Sequence, residues 1–331
     1  MNKKLMSMIL IGAMSTGLFA GCQPKDDKVV EADAVKEIVI EVPQEDNVDQ
    51  EKLNDAVIGE VFDWTDEDEI TYQAFIKSAD EVALIDLKAY VDKRIQDAPK
   101  MMVDHFVAYY EKRLNEAQYD LSDLFFEEGV QEALIETFDY DYFSQDQLSK
   151  VDNPEIVEKI APVLSMGYKI ETTEGMYYPI VDYNILYTYE DYVTQGVKQY
   201  LQLKKRESDI MAYSDAAVVV PWSELGKRLL MAEAVLDATL PELMEKNLIE
   251  DFKWTMMSFT LGTNNTPVFA YDDKTIVDTE MLESFKELAE IGGPISRGIM
   301  KPYLKVLEEE NYTGTDKVYE TINGLLEELL K

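Results

Sequence analysis

The sequence predicts a mainly α-helical fold, a multi-helical domain with one β-hairpin inserted near its middle. Three observations carry this. Apolar residues recur at helical spacing over most of the chain. Only 15 Gly and 11 Pro occur in 331 residues, sparse punctuation that suits long helices better than many short strands. One stretch, residues 167–183, instead gathers β-branched and aromatic residues around a turn, Glu174-Gly175.

Each element follows from its local pattern. The folded domain is expected over residues 61–331, beginning near Val61-Phe62-Asp63-Trp64. Ser78-Ala79-Asp80-Glu81 has the form of a capping box, and Leu84, Leu87, Val91 and Ile95 follow on one helical face. Pro99 breaks that pattern, and Phe106, Tyr110 and Leu114 line a second helix. Residues 124–138 suggest a third helix and residues 154–164 a fourth. A sub-boundary is expected near residue 165, where the hairpin pattern starts, and Pro179 restricts its second strand to an edge. Helical spacing returns with Leu225, Leu229, Ala232, Leu236 and Leu240, which Pro241 ends. Leu282, Phe285 and Leu288 form another helix, with Asp278 as its cap. Val318, Ile322, Leu325 and Leu329 mark a last amphipathic helix.

The N-terminus has a different organisation. Lys3 and Lys4 precede an uncharged apolar stretch over residues 5–18, closed by Phe19-Ala20-Gly21-Cys22. A positive start, an apolar core and small residues before a processing point make an export signal. The segment resembles the lipobox signal of bacterial lipoproteins, with Phe19 where the family usually has an aliphatic residue. The resemblance covers residues 1–22 alone. It implies that residues 1–21 are a signal peptide and that Cys22 is acylated on sulfur and becomes the new N-terminus. The partner is then the lipid bilayer, and the location is the extracytoplasmic face of the cell membrane. Two acyl chains suffice for stable attachment. Two other readings remain: an ordinary secretory peptide cut near Ala20, or a membrane helix. The uncharged run of about 17 residues is at the lower limit for a span. Residues 22–60 read as an acidic tether, held open by its own charge, with a short alternating stretch over residues 35–42.

Composition narrows the function classes. Acids number 66 against 31 Lys and Arg, a formal net charge of −35, and the signal segment removes two lysines more. Such a chain has the wrong sign for binding nucleic acid through its phosphates. Its partners are expected to be a protein or a small neutral or cationic ligand. Hydrophobic residues make up 46%, enough for a core despite the charge. Cys22 is the only cysteine, so no disulfide within the chain supports the fold.

The motifs for chemistry are mostly missing. His105 is the single histidine, so zinc sites built on several His or Cys ligands are excluded. Residues 23–331 carry no phosphate loop, dinucleotide fingerprint or nucleophile elbow, and the sequence calls for no cofactor and no metal. The acids Asp63, Asp66, Glu67, Asp68 and Glu69, and a second group at Asp139, Asp141 and Asp146, lack the EF-hand order and read as solvated charge at helix starts. The candidate ligand-binding residues are aromatic and amide: Tyr168, Tyr177, Tyr178, Tyr183, Trp222, Asn264 and Asn265. Rings with polar tips stack on sugars or peptides, but they also pack a hairpin onto helices while their hydroxyls find partners. The leading expectation is an anchored, non-catalytic binding or scaffolding module. The alternatives are the solute-binding component of a transporter and an envelope polysaccharide or peptidoglycan enzyme working through carboxylates.

Overall fold

The computed structural model describes residues 65–139, 143 and 145–329. The signal segment, Cys22 and the tether with its stretch over residues 35–42 lie outside them, as do Asp63 and Asp141. All described residues belong to one compact unit. Its buried apolar side chains form one cluster from Phe75 to Leu326, on both sides of residue 165.

The fold is mainly α: twelve helices and two short antiparallel hairpins among the described residues. In chain order the helices are α1 (Asp66–Asp80), α2 (Leu84–Arg94), α3 (Lys100–Phe125), α4 (Val130–Phe138) and α5 (Pro154–Met166), with a 3-10 turn at Gln145–Lys150 before α5. Hairpin strands β1 (Tyr168–Thr173) and β2 (Met176–Val181) come next, then α6 (Tyr183–Tyr187) and α7 (Gln195–Asp209). A two-residue pair, β3 (Tyr213–Ser214) and β4 (Ala217–Val218), precedes α8 (Trp222–Leu236), α9 (Glu242–Leu261), α10 (Thr279–Ile291), α11 (Pro294–Glu309) and α12 (Asp316–Leu329).

Helix α3 organises the first half. Its 26 residues span about 39 Å at 1.5 Å per residue. α1, α2, α4 and β2 all pack on it. Phe106, Tyr110 and Leu114 are buried along it, as their spacing requires. In the second half α8 packs on α7, α9, α10 and α11, α12 packs on α9 and α11, and α9 also reaches α3.

The hairpin pairs Tyr168 with Val181 through to Thr173 with Met176. Glu174 and Gly175 have φ of 50° and 74°, the two positive values that a type I′ turn needs. Pro179 sits opposite Ile170 in a two-stranded sheet, where each strand is an edge strand. Asp278 caps α10 by accepting from Glu280 N at 2.9 Å.

Four sequence expectations need correction. The capping box lies at Thr65 and Asp68: Asp68 N donates to Thr65 Oγ1 at 3.2 Å and Thr65 N to Asp68 Oδ2 at 3.0 Å. Ser78 instead donates to Ala74 O inside α1, and α2 starts after Ala83 with no side-chain cap, held by burial of Leu87 and Val91. The helix expected over residues 124–138 is two, because Gly129 takes φ of 81° between α3 and α4. Leu240 is not on α8, which ends at Leu236. Helices α1, α6, α7, α9 and α11 are not among the expected elements. α7 is polar along most of its surface, and α11 carries Pro302 inside it, which reads as a break.

Candidate functional site

α7, α8 and α9, with the connection after α7, enclose a cleft of about 210 Å³. That is smaller than a drug-sized pocket of roughly 300 Å³ or more. α7 supplies Glu207, α8 supplies Leu225 and Arg228, and α9 supplies Asp251, Trp254 and Thr255. Met211, Ala212 and Tyr213 close the side toward β3.

The β3–β4 pair fixes that side. Asp215 and Ala216 make its turn, with φ of 47° and 51°. Asn265 N donates to Ala216 O at 3.0 Å, its side chain donates to Asp215 O, and Val218 N donates to Thr266 Oγ1 at 3.0 Å. The polar loop after α9 therefore holds the turn that carries Tyr213. Tyr213 and Trp254 meet edge to face at 6.3 Å. Trp254 is 56% exposed, and the enclosed Tyr213 hydroxyl, beside Thr255 and Ser258, makes no hydrogen bond in good geometry.

Two ion clusters border the cleft. In the first, Arg206 grips Glu224 with both ends of its fork, Nε at 2.8 Å and Nη2 at 2.6 Å. Arg228, only 3% exposed, donates from Nε to the same carboxylate at 3.0 Å and from Nη2 to Ile210 O at 2.6 Å. Burial pushes the Glu224 carboxyl up, but the bonds from Arg206 and Arg228 outweigh it and hold the group below its ordinary value. In the second, Lys204 Nζ meets Asp251 Oδ2 at 2.9 Å and Glu207 Oε2 at 3.1 Å. Burial alone would push this lysine down; Tyr183, Glu207 and Asp251 reverse that and hold it well above its ordinary value.

Behind Lys204 lies a buried polar group. Tyr183 and Tyr200 both donate to Glu111 Oε1, each at 2.7 Å, and Lys204 stands 5.5 Å over the Tyr183 ring. Burial pushes the Glu111 carboxyl up, against the two tyrosine bonds.

The candidate residues from the sequence are mostly placed in the core. Tyr168, Tyr177, Tyr183 and Trp222 are buried. Tyr168 donates to Leu114 O at 2.5 Å and Trp222 Nε1 to Phe259 O at 2.9 Å. Tyr178 is half-buried, while Asn264 and Asn265 are exposed in the loop that supports the cleft. None of these seven lines it. Cys22 lies outside the described residues. His105 meets Tyr72 edge to face at 5.1 Å, and burial pushes it down with Glu69 opposing.

Glu207, Tyr213, Arg228 and Asp251 are cleft residues that no sequence motif marks. One signal was legible. Arg228 falls between Leu225 and Leu229 on the apolar stripe of α8, where a charge must be paired to be buried. Among the described residues no group of three or more His, Cys, Asp or Glu is poised to hold a metal. No protein-family model matches the chain, and neither a curated protein nor a solved structure matches it, so the functional argument rests on the site itself.

Proposed function

We propose that the chain is a lipid-anchored extracytoplasmic lipoprotein whose helical body is a non-catalytic binding module. The observation that carries the anchor is the order of the N-terminal residues: Lys3-Lys4, an uncharged stretch over residues 5–18, then Phe19-Ala20-Gly21-Cys22. No helix among the described residues is long and apolar enough to cross a membrane. The cleft between α7, α8 and α9 favours a binding role for the body over a scaffolding role alone, because three helices bring Glu207, Arg228, Asp251 and the exposed Trp254 to one open cleft. The solute-binding proteins of transporters, the second reading, have two α/β lobes. Here the paired strands among the described residues are two short hairpins in a helical body, which weighs against that family while leaving ligand capture itself open.

The test is acyl labelling in a bacterial host. The wild-type chain should incorporate a tagged fatty acid and fractionate with membranes. Cys22→Ser should lose the label and either remain an uncut precursor or be released. A labelled, membrane-bound Cys22→Ser protein would sink the proposal.

A further inference from the structure

The two ion clusters at the cleft have opposite imbalance. Glu224 is one carboxylate shared by two guanidinium groups, Arg206 and Arg228, which leaves a positive surplus. Lys204 is one ammonium shared by two carboxylates, Glu207 and Asp251, which leaves a negative surplus. Glu111, close behind Lys204, adds no positive charge to that side. Arg228, Glu207 and Asp251 all line the same small cleft.

Each pole has unused bonding capacity. Arg228 commits Nε and Nη2 and leaves Nη1 without a partner among the described residues, on a side chain that is almost wholly buried. Nη1 is not sealed in the protein but open to solvent at the cleft, so a ligand there exchanges with water. Asp251 and Glu207 each direct one oxygen at Lys204 and keep the other free of any hydrogen bond in the structure. Between the poles the wall is apolar and aromatic, from Met211, Tyr213 and the exposed face of Trp254.

From this arrangement we infer that the cleft binds a small zwitterion with an apolar side group, an α-amino acid. Its carboxylate takes the Arg228 Nη1 donors, its ammonium completes the Asp251 and Glu207 pair, and its side group lies on Trp254 and Tyr213. A planar guanidinium with two free N–H groups is suited to a carboxylate. The whole-molecule field supports the zwitterion over a plain anion. At a formal net charge of −35 an anionic ligand is repelled on approach, whereas a neutral zwitterion is not. The inference rests on the reading of the body as a binding module, and is independent of the anchor.

The experiment is calorimetric titration of the full-length protein in detergent with three probes: L-phenylalanine, phenethylamine without the carboxylate, and 3-phenylpropionate without the ammonium. Phenylalanine should bind at least tenfold more tightly than either analogue. Asp251→Asn, at a side chain 42% exposed, should weaken phenylalanine at least fivefold and leave 3-phenylpropionate unchanged. Trp254→Ala should weaken all three. Arg228→Lys should weaken phenylalanine and 3-phenylpropionate together; if that variant unfolds, Asp251→Asn still decides the matter. Equal binding of phenethylamine and phenylalanine, or an Asp251→Asn protein with unaltered phenylalanine affinity, overturns the zwitterion and keeps the binding module. No heat from phenylalanine, its analogues or the other common amino acids overturns the ligand class and the cleft as the site. Acyl labelling at Cys22 reads the anchor separately from both outcomes.

Discussion

Asp104, Glu111 and Glu233 are carboxylates buried in the helical body, and each is satisfied by partners from a different element. Glu233 on α8 accepts from Gly293 N at 3.1 Å and Ile295 N at 2.6 Å, so it caps the start of α11, where the dipole favours a negative charge. Asp104 on α3 does the same for α7. It accepts from Thr194 N at 2.9 Å and from Thr194 Oγ1 at 2.7 Å. Burial nevertheless dominates and raises Asp104 to about 6, from 3.8. The folded state therefore holds a proton that the unfolded chain releases between those values, and the stability linked to it is present at acidic pH and lost as pH rises toward about 6. Asp104→Asn keeps an acceptor for Thr194 N without the buried charge. It should be more stable than the wild type at pH 7 by about 1–3 kcal/mol, with the difference shrinking toward pH 4. Urea unfolding of both proteins at several pH values checks this, and a gap that does not change with pH would refute it. These residues were hard to read beforehand because a carboxylate on an amphipathic helix looks solvated until the neighbouring helix is placed. The cleft was hidden for the same reason: Glu207, Arg228 and Asp251 come from three helices, and only packing brings them together.

Hairpin β1–β2 has two exposed edges in principle, and the body covers points on both. Gln131 of α4 acts as a short substitute strand, accepting from Tyr177 N at 2.8 Å and donating to Tyr177 O at 2.8 Å. Phe143 bridges to Ile170 on the other edge. Gln131→Ala removes both bonds to Tyr177 and should cost about 1–3 kcal/mol. Gln131→Glu keeps the acceptor, loses the donor and brings a negative charge to the Phe125 and Tyr177 carbonyl oxygens, so it should cost at least as much. Thermal or urea unfolding of the two variants measures it, and a wild-type midpoint for both would show that the amide carries nothing. This hairpin was legible because its signals are local: alternation along the strands and Glu174-Gly175 at the turn. The helices with regular apolar stripes, such as those through Phe106 or Phe285, were legible on the same grounds. The β3–β4 pair has no local signature, since its two residues per strand are set by Asn265 and Thr266, which are distant in sequence. α11 escaped because Pro302 suggests an end, although the helix continues through it.

At the scale of the whole molecule the dominant quantity is charge. A formal net charge of −35 gives many repulsive pairs at long range, while the ion pairs of the structure are contacts of 4 Å or less. Salt acts on these two populations unequally. The Debye length is about 10 Å at 0.1 M and about 3 Å at 1 M, so distant repulsion is screened first and contact pairs, especially the buried ones at Lys204 and Arg228, are screened least. Several exposed pairs, such as Lys246 with Glu242, contribute little in any case. Net repulsion in the compact state therefore outweighs surface attraction, and added NaCl should stabilise the fold. The midpoint of urea unfolding should rise between about 0.02 M and 0.5 M NaCl while the slope of the transition stays constant, which marks a change in stability without a change in the surface exposed. A midpoint that falls with salt would mean that the ion pairs, not the surplus of acid, set the electrostatics of this body. The same surplus bears on the proposed anchor. A body of this charge is repelled by anionic headgroups, so the acyl chains proposed at Cys22 would have to hold it alone, and under that proposal salt should leave the wild-type chain with the membrane fraction.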